Sequence, residues 1–211
     1  EVRTRDQFPQ QWAMTQYNLL IAHKAQKNWL EMRTIAQQLH QFQPDNSRYF
    51  YQLYWLTHEK LFDFETAYTL NRDWLKRHPD DLEIQANFAE SHLSSGRLVA
   101  GEAVFKHLLN NTALPTKHTL VLCVELIAIL LAQNKMNSAL NQLDSAHQQV
   151  QSLADNDQSS WSFSGVKHAI ENSPAYHQWP WLVDFFSGFE GSREDMLKAI
   201  DNARQRMKNT L

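Results

Sequence analysis

The chain has 211 residues, of which 43% are apolar and 20% charged, and a formal net charge of −3 at neutral pH. A chain of this length can bury about 70% of its unfolded surface without disulfide staples, and it lacks the basic excess of a nucleic-acid binder. Five Gly and six Pro are too few for a fold of many tight turns, and abundant Ala, Leu, Gln, Glu, Lys and Arg favour helix.

In chain order, FPQQWAMTQYNLLIAH, Phe8 to His23, reads as a first helix. Ala22 to Asn46 then shows a polar break, Trp29, Met32 and an apolar ladder closing near Pro44. The next stretch, RYFYQLYWL from Arg48 to Leu56, is rich in strand-forming aromatics. Its spacing argues against a strand, because Tyr51, Tyr54, Trp55 and His58 recur at the three-four interval of a helix stripe. That places Tyr51, Tyr54 and Trp55 in the core, with Asp45 or Asn46 and Ser47 as the N-cap. LFDFE then joins this helix to a second one, striped by Ala67, Leu70, Asn71, Trp74 and Leu75 and stopped by Lys76, Arg77, His78 and Pro79.

The same design returns twice more. Ser91 to Pro115 carries Leu98 and Gly101, and Leu130 to Val150 carries Met136 and Ala139. Pro44 and Pro79 stand 35 residues apart, and Pro79 and Pro115 stand 36 apart. One helix pair cannot bury its apolar stripe alone, so neighbouring pairs must stack.

These segments resemble the tetratricopeptide repeat, a helix-turn-helix unit of about 34 residues. The resemblance covers Gln10 to Val150 and is clearest in the third copy, where Phe88, Ala89, Gly96, Leu98, Gly101 and Phe105 are of the consensus type. The opening helix is similar to that of a repeat variety common in large bacterial multidomain proteins. Trp55 departs from the pattern, standing where the family has a small residue, which implies a wider helix pair or a register shifted by one. The resemblance implies an all-α fold, a right-handed α-α superhelix of four helix pairs with an atypical, aromatic-rich C-terminal cap. The pairs fall at about 10–46, 47–80, 81–115 and 117–153 within a repeat domain 1–155. Residues 156–211 form a degenerate fifth repeat or cap, packed on the fourth.

The second half has its own character. Leu120 to Ala132 is apolar nearly all round, broken by Glu125, and at 13 residues falls short of the roughly 20 needed to span a bilayer. Such a helix is buried on every side. The segment carrying Trp161, Phe163, Trp179, Trp181, Phe185, Phe186 and Phe189 is the expected cover. Gln151 to Ser160 is the expected hinge, followed by a short helix over Ser162 to Glu171, a break at Asn172 to Pro174, and a last helix pair with Gly191, Met196 and Ile200. ARQRMK, Ala203 to Lys208, complements the dipole at the end of the last helix.

Signals for chemistry are sparse. Ten His include no pair at the four-residue spacing of a helical zinc site, Cys123 is alone, and the glycine motifs of nucleotide-binding loops are missing. His58 and His92 fill aromatic slots of the repeat, and the acid pairs Asp80-Asp81 and Glu194-Asp195 sit at helix starts. Asn110-Asn111-Thr112 formally fits a glycosylation acceptor. No catalytic, cofactor-binding or metal-binding residue is expected, nor any cofactor.

Repeat phasing turns a different set towards a concave groove: Tyr17, Ile21 and Lys24 from the first copy, Tyr49, Gln52, Leu56 and Glu59 from the second, and Glu83, Asn87 and Glu90 from the third. The Lys, Asn and Arg clamp by which some family members hold acidic chaperone tails is missing, since its positions carry Tyr17, Ile21, Leu53, Glu83 and Asn87. Only Asn87 is of the right type, so binding of such an acidic tail is not expected. The resulting expectation is a scaffold or adaptor, not an enzyme, binding a peptide or helix of a partner protein in that groove. Two alternatives stay open: a regulatory or assembly domain excised from a larger protein, and a helical-repeat regulator holding a small ligand among the C-terminal aromatics. Expected partners are proteins or peptides, not nucleic acid, without membrane insertion and with homo-oligomerisation open. The lone cysteine leans towards the cytoplasm, with the periplasm open for a processed chain.

Overall fold

The computed structural model describes residues 2–110, 116–154 and 161–210, and among them there is helix and no strand. Pro115, most of the glycosylation acceptor and most of the expected hinge lie outside the described residues. The chain divides into two compact units, residues 1–70 and 71–211. Among the described residues no helix is long and apolar enough to cross a membrane.

In the first unit α1 (Val2–Gln7) packs on α2 (Pro9–Ala25), α2 on α3 (Trp29–Phe42) and α3 on α4 (Ser47–Glu59). Pro9 opens α2, where its missing N–H is one that no intrahelical carbonyl could use. Asn46 caps α4 by accepting the Tyr49 N–H. The core joins Leu20, Met32, Ala36, Leu39 and Leu56, all without exposure, to Trp12, Tyr49 and Leu53. The Arg5 guanidinium lies over the rings of Trp12 and Phe42, and Arg33 pairs with Asp63 at 2.8 Å. The dividing point falls within α5 (Phe64–Leu75).

The second unit holds α6 (Leu82–Ser94), α7 (Leu98–Leu109), α8 (Thr116–Ala132) and α9 (Met136–Gln151), each packed on the next. The chain continues through α10 (Ser164–Asn172), a 3-10 turn at Pro174–Tyr176, α11 (Leu182–Gly188) and α12 (Arg193–Lys208). These elements return to the earlier helices: α10 packs on α6, the 3-10 turn on α8 and α12 on α9. Phe163, Tyr176, Phe185, Phe186 and Phe189 thereby share one core with Leu122, Ile127 and Leu131 of α8. Even Glu125, the single carboxylate of α8, is only 1% exposed. The Tyr176 hydroxyl donates to the Leu93 carbonyl at 3.1 Å, and burial pushes its phenol far above the ordinary value. Ser192 and Asp195 form a capping box at the start of α12, and Arg193 Nε donates to the Val150 carbonyl at 3.1 Å, occupying an acceptor at the end of α9.

A local geometry recurs along the chain. Among the described residues four adopt left-handed backbone, Lys27 (φ 59°), Phe62 (φ 54°), Gly96 (φ 73°) and Asn134 (φ 58°), spaced 35, 34 and 38 residues apart. Two residues after each, a helix begins, at Trp29, Phe64, Leu98 and Met136. The intervening amide folds back onto the helix before it: Asn28 on His23, Asp63 on Thr57, Arg97 on His92, Lys135 on Leu130. This is the left-handed closure by which helices satisfy their last carbonyls. Three positions into each new helix, Met32, Ala67, Gly101 and Ala139 are buried. At Gly101 a Cβ would stand 2.9 Å from His92 Cβ, closer than side chains pack.

At Gly96 a Cβ would meet nothing within 4 Å, so only the backbone conformation resists a side chain there. Gly96→Ala should therefore lower unfolding stability by about 1 kcal/mol. The reverse change at an equivalent site, Lys27→Gly, should raise it by up to about 1 kcal/mol. Urea unfolding of the two variants checks both signs.

A polar staple ties α7 to the turn before α9. Glu102, 8% exposed, accepts from Lys106, Gln133 and Lys135. Burial alone would raise its carboxyl, but these hydrogen bonds and the Lys106 charge outweigh burial and bring it from 4.5 to about 2. A carboxyl more acidic folded than unfolded stabilises the fold fully above its unfolded value and loses that contribution as pH falls through its folded one. Glu102→Gln should cost about 1–2 kcal/mol at neutral pH. The variant should also flatten the fall in stability between pH 4.5 and about 2, as measured by acid titration of the melting temperature.

Candidate interaction face

Helices α2 and α4 lie alongside each other in the same direction. Tyr17 meets Tyr49 with ring centroids 5.9 Å apart, and further along Lys24 Nζ donates to Gln52 Oε1 at 3.1 Å. Near their N-terminal ends the helices leave an open cleft of about 580 Å³. One wall is Gln10, Gln11, Ala13, Met14 and Tyr17 of α2; the other is Asn46, Ser47, Arg48 and Tyr49. Met14 is 64% exposed, and the Arg48 guanidinium lies over the Tyr17 ring at 5.5 Å. Among the described residues no carboxylate lines this cleft. The N-terminal end of α4 opens onto it, adding the positive end of a helix dipole.

Beyond the cleft the face continues to Trp55. Lys24 Nζ stands 4.0 Å and Lys60 Nζ 5.2 Å from its ring centroid, while Trp29 meets it edge-on at 5.9 Å. Burial, and after it the charge of Lys60, lowers the Lys24 ammonium below its ordinary value.

Of the groove residues expected from sequence, Tyr17, Lys24 and Gln52 are half-buried on this face, and Ile21, one turn after Tyr17, is exposed. Tyr49 contributes a cleft wall although most of its ring is buried. Two expectations are corrected. Leu56 is without exposure inside the core of the first unit, and Glu59 is 6% exposed with Oε1 2.8 Å from His58 Nδ1. The reason is the rotational setting of α4: Tyr49, Leu53 and Leu56 form its inward stripe, and Arg48, Gln52 and Trp55 its outward one. Trp55, expected in the core, is therefore half-buried and carries lysines instead. The other three expected residues lie on α6 of the second unit, Glu83 exposed and Asn87 and Glu90 half-buried; α6 there packs against α10.

Sequence reasoning missed Met14, Arg48 and Lys60. A signal was present, since Gln10, Met14, Tyr17, Ile21 and Lys24 follow one helical stripe and cations stand at both ends of the aromatic run in α4. Elsewhere, His92 is a packing histidine: Nδ1 donates to the Phe88 carbonyl at 2.8 Å, and burial lowers its pKa so that the ring stays neutral. Between α11 and α12, the cleft lined by Trp181 and Phe185 measures about 80 Å³, well below the 300–1,000 Å³ typical of small-molecule sites.

No protein-family model matches the chain, and no curated protein matches it.

Proposed function

We propose that the chain is a non-catalytic interaction module of tetratricopeptide-like helical repeats that captures a peptide or helix of a partner protein on the α2–α4 face. The observation that carries this reading is the open cleft beside the Tyr17–Tyr49 ring pair, with the exposed Met14 in its lining. Tyrosine offers a large contact area at small entropic cost, and methionine adapts to irregular apolar surfaces. Gln10, Gln11 and Asn46 add amide donors and acceptors able to pair with a peptide backbone. A few such anchors decide affinity more than total area does.

Placing a photo-cross-linking residue at Met14, and separately at the even more exposed Val99 of α7, tests the reading. Cross-linking in extract of the source cells should give a discrete adduct from position 14, lost on Tyr17→Ala, and none from position 99. Adducts from 99 alone, or from 14 regardless of Tyr17, would contradict it.

A further inference from the structure

The chemistry of the captured segment follows from the charges on the α2–α4 face, an inference that rests on the reading of that face as the binding surface. Three cations lie along it: Arg48 over Tyr17, and Lys24 and Lys60 over Trp55. Among the described residues none of the three has a carboxylate within ion-pairing distance. Arg33 on α3, by contrast, is paired with Asp63 at 2.8 Å. A ring face attracts a cation by roughly 0.5–1 kcal/mol at exposed sites, and it does not cancel the charge. Lys24 and Lys60 share one indole, so each raises the positive potential at the other. Lys24 donates one N–H to Gln52, which leaves further donors for a ligand.

If the lysines served only to cover Trp55 with their alkyl stems, their heads would extend into water. The Lys24 head stands instead directly over the ring, held by Gln52. We propose that this face recognises an acidic segment of a partner protein, an apolar or aromatic side chain entering the Tyr17–Tyr49 cleft and one or two carboxylates binding Lys24 and Lys60 above Trp55. The spacing in the partner is set by α2. Tyr17 and Lys24 are seven residues apart in sequence, hence about 10 Å along the helix axis. An extended peptide covers that distance in roughly three residues.

The test uses short dye-labelled peptides of Ala and Ser carrying one Phe and, about three residues later, Glu-Glu, Gln-Gln or Lys-Lys, with anisotropy measured on the full chain. The Glu-Glu peptide should bind roughly three- to tenfold more tightly than the Gln-Gln peptide at low salt. That advantage should shrink as salt rises and vanish in the double variant Lys24→Gln, Lys60→Gln at an unchanged melting temperature. Lys60→Glu alone should shift the preference towards the Lys-Lys peptide, which keeps the test decisive should the double variant be unstable. Equal affinity for Glu-Glu and Gln-Gln, or a Glu-Glu advantage that survives the substitutions, overturns the proposal. If the Gln-Gln peptide binds equally well and loses affinity on Tyr17→Ala, the acidic specificity falls while the interaction module stands. If no peptide binds up to millimolar concentration and Met14 captures nothing, both fall.

Discussion

Phe186→Ala should destabilise the second unit by about 3–5 kcal/mol, the usual cost of emptying a buried aromatic site. Phe186 has no exposure, packs at 5.0 Å from the Phe163 ring and 5.6 Å from the Phe185 ring, and belongs to the same core as Leu122 and Ile127 of α8. Its loss should therefore loosen α8, far away in sequence. Cys123, the lone cysteine of the chain, reports on that helix: it is 2% exposed, and burial raises its thiol so that it reacts only when the core opens. Thiol labelling should accelerate on the order of a hundredfold or more in the variant under native conditions. Unchanged labelling would mean that the C-terminal aromatics do not support α8.

The second large effect concerns the first unit and separates packing from recognition. Leu56→Ala should cost about 2–5 kcal/mol, because Leu56 is fully buried among Met32, Leu39 and Leu53. Any loss of partner binding in that variant would then reflect unfolding. Met14→Ala should change stability by less than about 0.5 kcal/mol, since the side chain is 64% exposed, and still weaken partner binding. Thermal melts of both variants, beside binding of one peptide, distinguish the two roles.

The contrast between Leu56 and Met14 also shows what the chain reveals before it folds. The repeat landmarks Trp29, Leu98 and Met136 were legible as a polar break followed by a large apolar residue, and helices do begin there; Phe64, read as part of the LFDFE joint, opens a helix as well. Caps were legible to within a residue or two: of Asp45, Asn46 and Ser47 it is Asn46, and of Asp80 and Asp81 it is Asp81, that accepts the amide three residues ahead. The rotation of α4 was harder. RYFYQLYWL has large side chains around its whole circumference, so periodicity alone selects no unique inward stripe. Trp55 is apolar enough for a core, yet settles at the surface where Lys24 and Lys60 cover its ring. For that reason Tyr17 and Lys24 could be assigned to the face from α2 phasing, whereas in α4 Gln52 was placed on it but Leu56 and Glu59 were turned the wrong way. The pairing of Arg48 with Tyr17 depends on how two helices lie side by side, which no single segment encodes.

The recognition surface can be probed with labels already in the chain. Its five methionines include Met14 in the cleft, Met32 in the core of the first unit and Met136, Met196 and Met207 in the second. A methyl spectrum of methionine-labelled protein, titrated with the Phe- and Glu-containing peptide, reports on all five at once. The Met14 methyl should shift progressively to saturation, with the same midpoint as the anisotropy titration, while Met196 and Met207 stay in place. A Met14 resonance that does not move while those of the second unit do would contradict the assignment of binding to the α2–α4 face.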